Sequence, residues 1–144
     1  MQEKNNLLGL TREELQDYLI SLNEKSYRGL QIFEWIHNKG VKNFNSMTNL
    51  GNELIEKLKQ NSKIEVPKVI DASTSSDGTK KFLLKLDNDS FIEMVKIPEK
   101  NRQTLCISSQ AGCALQCSFC ATGFNGFKRN LTSSEIISQL WLAN

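Results

Sequence analysis

The chain has 144 residues, 39% hydrophobic and 24% charged, with 18 Lys and Arg against 16 Asp and Glu for a net charge of +2. That length suits one domain of usual size, roughly 100 to 200 residues, or a few small parts, and it excludes a complete barrel enzyme. The composition is that of a folding globular chain and excludes a disordered tail, while a charge so near neutral announces no nucleic-acid partner by itself.

The first elements read as helices. Thr11 and Glu14 make a capping box, and Leu15, Tyr18, Leu19 and Leu22 follow at i, i+3, i+4 and i+7 as one apolar stripe. A second helix is expected over 26–38, where Leu30, Ile32, Phe33, Trp35 and Ile36 form a broad apolar arc that stops near Gly40. Leu50, Leu54, Ile55 and Leu58 form a third. Three short amphipathic helices with brief polar connections predict a small bundle over 1–62. His37, the sole histidine, falls near the end of the second helix, where the dipole favours a cation; Phe33 and Trp35 read as core.

Beyond Pro67 the period changes to two. Phe82, Leu84 and Leu86 alternate with Lys81, Leu83 and Lys85, Asp87-Asn88-Asp89 turns the chain, and 91–97 returns as the second strand of a hairpin. Residues 69–73 supply a further strand with Ser75-Ser76-Asp77-Gly78 as its loop, so 63–98 reads as a β extension. A last strand, about 104–108, enters a glycine- and cysteine-rich loop over 112–126, and Thr132 with Glu135 caps a closing helix. Strand, loop and helix over 99–144 have the order of one βα unit of a parallel sheet or barrel, which makes the fold class α/β. The closing helix is still apolar at Ile136, Ile137, Leu140 and Trp141 where the chain stops, so an incomplete protein is expected.

No apolar run approaches the ~20 residues of a membrane span, and the first residues have no apolar signal region, so a cytoplasmic protein without membrane partners is expected. In that reducing compartment four cysteines point to metal ligation or thiol chemistry before disulfides. Cys113, Cys117 and Cys120 stand at Cys-x3-Cys-x2-Cys spacing directly after the last strand. Three thiolates this close can hold one iron–sulfur cubane and leave one iron open to a small molecule. Structural zinc is the alternative, with Cys106 as a poorly spaced fourth ligand. Glu93 is separate from that loop. It shares a strand face with Phe91, Val95 and Ile97, where alternation expects an apolar residue, and a carboxylate in apolar surroundings can trade protons near neutral pH. An exposed charge guarding a strand edge is the other reading.

The triad with Phe119 before its last cysteine resembles the radical S-adenosylmethionine superfamily. Thr104-Leu-Cys-Ile-Ser-Ser-Gln110, Ala121-Thr-Gly123 and Gly126-Phe-Lys-Arg-Asn-Leu131 are similar to the RlmN-type dual-specificity RNA methyltransferases, as are Ile92-Glu-Met-Val-Lys-Ile-Pro98 and Gln31-Ile-Phe-Glu-Trp-Ile36. The resemblance implies a helical RNA-contacting accessory domain, a β-hairpin extension and the first strand-loop-helix of a partial radical SAM (βα)6 barrel. It implies a 4Fe-4S cluster on Cys113, Cys117 and Cys120, S-adenosyl-L-methionine on the open iron, and methylation of carbon 2 of adenine in 23S rRNA and tRNA through a methyl-cysteine. It further implies a small electron-transfer protein as reductant and a monomer.

By position Cys106 matches the cysteine that resolves the covalent protein–RNA adduct through a transient disulfide, and Glu93 the proton acceptor of that step. No cysteine follows Cys120 to accept the methyl group, so the chain alone should be inactive. Methylation of carbon 8, as in an antibiotic-resistance relative, and a zinc-stabilised binding module are the competing functions. Lys128 and Arg129 just past the loop are candidates for RNA phosphate, with Lys80 and Lys81 similar, and Gly123 and Gly126 should permit a tight loop.

Overall fold

The computed structural model describes residues 4–87, 89–113, 115 and 126–144, and the chain divides into two compact units, Met1–Glu65 and Val66–Asn144. In the first unit β1 (Asn5–Asn6) leads into a 3-10 turn over Leu7–Gly9, followed by α1 (Arg12–Ser21), α2 (Tyr27–Phe33), α3 (Asn52–Asn61) and β2 (Ser62–Lys63). The expected capping box forms: Thr11 Oγ1 accepts from the Glu14 amide, and Glu14 Oε2 accepts from the Thr11 amide at 2.8 Å. The second expected helix is α2 continued by a wider π turn over Glu34–Asn38. Leu30, placed in its apolar arc, is exposed. Leu50 lies ahead of α3, before the Gly51 cap, although it is buried.

The core of this unit draws on residues outside the three expected helices. Leu7, Leu8, Phe44 and Met47 are buried with Leu15, Leu19, Ile32, Ile36, Leu54 and Leu58. Ends of the unit are tied by a parallel pairing of β1 with β2, and by Asn6, whose side-chain amide donates to Glu65 O and accepts from the Glu65 and Leu8 amides.

His37 corrects the expectation of a dipole-stabilised cation. Its ring lies 4.4 Å from that of Phe33, and burial lowers its pKa below 6.5. Desolvation by burial therefore favours the neutral imidazole at this helix end. The unfolded chain then takes up a proton at a higher pH than the folded chain does. Stability is full above the ordinary histidine range and falls as pH drops below it. We expect the urea midpoint, followed by Trp35 fluorescence, to decline between about pH 7 and pH 5 and to flatten in that window in His37→Gln. Retention of the slope in His37→Gln contradicts this assignment.

The second unit is built on an antiparallel sheet of order β3-β4-β5-β6, with β3 at Lys68–Thr74, β4 at Lys80–Lys85, β5 at Phe91–Pro98 and β6 at Gln103–Cys106. The hairpin and its additional strand form where the period-two pattern puts them. Two short strands, β7 (Gln110–Ala111) and β8 (Arg129–Asn130), pair with each other, and α4 (Ser133–Ala143) closes the unit under the expected capping box of Thr132 and Glu135. One face of β4 and β5 is covered, whereas β3 is exposed throughout. Leu84, Leu86, Ile92 and Met94 pack with Ala111 and Leu131, and Phe82, Ile136 and Leu142 border them.

The parallel βα pairing expected of the last strand is not what the described strands make. β6 pairs antiparallel with β5, with Val95 opposite Cys106 and Pro98 opposite Gln103. A tight connection causes this: only a few residues join β5 to β6, with Glu99 N–H donating to Arg102 O, and so short a link returns the strand against its neighbour.

Candidate functional site

The cysteine-bearing segment is pinched at its root. Cys113 N–H donates to Gly126 O at 3.2 Å, Lys128 N–H to Ala111 O at 2.9 Å and Leu131 N–H to Ser109 O at 2.9 Å, which extends the β7–β8 pairing into a closed neck. Gly112 has φ +75°, and a Cβ built there would lie 1.7 Å from Gly126 O, so only glycine fits. Gly126 also adopts a positive φ, as the tight-loop expectation requires; Gly123 lies outside the described residues. Cys113 is half-buried at this root, while Cys117 and Cys120 lie outside the described residues. Among the described residues no three His, Cys, Asp or Glu side chains converge on a metal position, and Cys106 and Cys113 are not in disulfides. The part of the donor set that is described suits a thiolate-held group: a cysteine sits at the mouth of a loop whose two ends are held together.

Glu93 does not meet the apolar surroundings expected for it. Ile92 and Met94 take the buried face of β5, and Glu93 points to the opposite, open face. There its Oε1 lies 3.1 Å from Lys81 Nζ, both side chains being about half exposed. The register places Lys81 and Cys106 on either side of Val95, so all three share that open face with Glu93. Glu93 and Cys106 are therefore diagonal neighbours, which separates their Cβ atoms by roughly 7 Å in an ordinary antiparallel sheet. Cys106 is exposed. Sequence spacing could not bring these two together; the β5–β6 register does. Leu83 and Val95, half-buried, and Ile97, exposed, lie on the same open face.

The two basic candidates separate. Lys128 is exposed, but Arg129 is turned inward, with both terminal nitrogens on Glu135 at 2.8 and 2.6 Å and one also donating to Asn130 O. This fork ties the far side of the neck to the first turn of α4. The hydrogen bond from Arg129 is the largest influence on Glu135, holding its pKa below the usual 4.5. A depressed carboxylate contributes stability above its unfolded pKa, and that contribution is lost as pH falls through the folded value. Glu135→Gln keeps an acceptor for the cap but loses the charge. We expect it to cost about 1–2 kcal/mol near neutral pH and to lessen the acid loss of stability, as read by denaturant melts across pH.

Two site-supporting residues carry weak sequence signals. Ser108 is one hydroxyl within a strand end, and Gln139 is one polar position four residues after Glu135 in an apolar helix. α4 lies on the sheet with Ser138 and Gln139 fully buried, while Ile137 and Leu140 are exposed.

Residues 5–64 match the family model described as the ribosomal RNA large subunit methyltransferase N-terminal domain. The chain is 51% identical over 142 residues to a dual-specificity RNA methyltransferase RlmN of Francisella tularensis subsp. novicida, covering 99% of this chain and 38% of that protein. A relative of the same name from subsp. holarctica is 50% identical over the same length. A crystal structure of a radical SAM methyltransferase from Sphaerobacter thermophilus superimposes with a TM-score of 0.87 at 34% identity, over 96% of this chain and 41% of that one. The chain thus spans well under half the length of the relatives it matches.

Proposed function

We infer from a chain that corresponds to the N-terminal portion of the RlmN-type RNA methyltransferases that it serves an enzyme which methylates carbon 2 of adenine in 23S rRNA and tRNA. Its first unit is the RNA-contacting accessory domain. Its second is the β extension and the beginning of the radical SAM core, in a protein that carries the remaining length of such relatives. The observation that carries this reading is the shared open face of Glu93 and Cys106, on strands that lead directly into the neck of the three-cysteine loop.

Cys113, Cys117 and Cys120 would hold the 4Fe-4S cluster with S-adenosyl-L-methionine at its open iron. Bound there, that group supplies one-electron chemistry at an aromatic carbon too poor a nucleophile for polar methyl transfer. The residues of this chain do the rest by position. Glu93 accepts the proton released from the adenine ring, its carboxylate held by Lys81 on the same face. Cys106, as a thiolate, attacks the sulfur of the methyl-bearing cysteine in the remaining length. The sulfur–sulfur bond forms as the carbon–sulfur bond to the RNA breaks, and the departing carbon keeps that electron pair and takes up a proton to become the methyl group. Lys128, exposed beside the loop, meets RNA phosphate; Arg129 is committed to Glu135 and serves the loop's anchorage. A small electron-transfer protein supplies the electron, and the enzyme acts as a cytoplasmic monomer.

A chimera tests this, with the chain replacing the aligned 142 residues of an RlmN relative. After anaerobic reconstitution with iron and sulfide we expect 2-methyladenine in 23S rRNA and tRNA by mass spectrometry. Methylation at carbon 8 alone replaces the carbon 2 reading with that of the resistance relative. Zinc bound without acid-labile sulfide removes the radical reading in favour of a binding module.

A further inference from the structure

We propose that Gln139 is a positioning residue for Glu93 and Cys106: its buried carboxamide replaces the peptide unit of a neighbouring strand at Ser108 and so fixes where β6 ends against β5. This role rests on the reading that Glu93 and Cys106 do the chemistry.

The β5–β6 ladder stops at the Val95–Cys106 pair. Continued in register it would set Ser108 opposite Glu93. Instead Ser108 turns both backbone groups to α4, its N–H donating to Gln139 Oε1 at 2.8 Å and its carbonyl accepting from Gln139 Nε2 at 2.7 Å. The Ser108 hydroxyl donates to Glu93 O at 2.7 Å, a side-chain substitute for the ladder bond. A continuous path therefore runs from helix to strand end to the backbone of Glu93, with Cys106 two residues before the held position. Gln139 is fully buried, and its Nε2 also donates to Glu135 O at 3.3 Å.

Only a carboxamide provides a donor and an acceptor in one plane to match both backbone groups of a single residue. A polar side chain buried on a helix that leaves Ile137 and Leu140 outside is not there for apolar packing. One turn earlier, Glu135 grips Arg129 on the other side of the loop. α4 thus holds the chain both before and after the three cysteines, and Gln139 supplies the hold nearest Cys106.

The test uses the chimera with Gln139→Met, which fills the space without either bond, and Ser108→Ala, which removes only the hydroxyl to Glu93. Hydrogen exchange at the Ser108 amide should be roughly tenfold faster in Gln139→Met, with the Leu105 amide unchanged. Methylated RNA per turnover should fall by about 10- to 100-fold, with covalently held RNA accumulating because Cys106 no longer reaches its target, while iron and sulfide content and KM for RNA stay at wild-type levels. Ser108→Ala should show the same adduct at a smaller fraction, which keeps the proposal decidable if Gln139→Met fails to fold. Unchanged exchange at Ser108, or loss of iron in step with activity without adduct, overturns it. A wild-type chimera that does not methylate RNA sinks the functional reading itself, and this role with it; normal turnover by both variants sinks this proposal alone.

Discussion

Gly112→Ala is expected to abolish iron loading of the cysteine loop while leaving the first unit folded. Two effects add at this position. An L residue at φ +75° is strained by roughly 1–2 kcal/mol. The added Cβ would also fall 1.7 Å from Gly126 O, a backbone atom that cannot yield without breaking the bonds Cys113 N–H to Gly126 O and Lys128 N–H to Ala111 O. Overpacking against fixed backbone costs a further 1–3 kcal/mol or so, more than a two-residue strand pair can absorb. The neck should open and the loop's ends should separate. Gly126→Ala is the control: its φ is +65°, yet a Cβ there would have nothing within 4 Å, so it carries only the strain. Iron and acid-labile sulfide per chain after anaerobic reconstitution check this, and equal loading of the two variants would contradict it.

Gly29→Ala should be the most damaging single methyl in the first unit. Glycine within a helix ordinarily weakens it, and alanine would be expected to gain about 1 kcal/mol. Here the sign reverses. A Cβ at Gly29 would stand 2.7 Å from the Gln16 amide nitrogen and 2.8 Å from Gln16 Cα and Leu15 C, so α1 and α2 touch backbone to backbone. The helices must move apart, which loosens Leu15, Leu19 and Ile32, all fully buried. We expect a net loss of about 2 kcal/mol, or a fall in melting temperature on the order of 10 °C for a unit this small. Gly51 supplies the contrast, because a Cβ there meets nothing within 4 Å and the residue caps α3 without a side-chain bond. Gly51→Ser should hold or slightly raise the melting temperature through a new cap. A Gly29→Ala protein as stable as the parent would refute the close approach.

Most elements are legible in the sequence because their signals are local. The capping boxes at Thr11 and Thr132 require only residues three apart, and the period-two run through Phe82 and Leu84 declares a strand wherever it occurs. The Cys-x3-Cys-x2-Cys spacing is likewise a local statement, and it carries the resemblance. What local signals miss is side and partner. Alternation divides β5 into two faces but cannot say which one α4 covers, so it predicts apolar surroundings for Glu93, which is found beside Lys81. Arg129, a plausible phosphate ligand by sequence, is drawn to Glu135 six residues on. Leu7 and Leu8 join the core although they precede the first periodic helix, where no repeat marks them.

By itself the sequence determined the order of the main helices and strands, the spacing of the three cysteines and the family they resemble, because each depends on neighbours along the chain. Tertiary structure alone decided that Glu93 and Cys106 share a face, that Gly112 closes the neck, and that Gln139 reaches Ser108. Those relations join residues far apart in the chain, and they are fixed by strand register and by the surface on which one helix lies, where the burial of many side chains together outweighs the preference of any one.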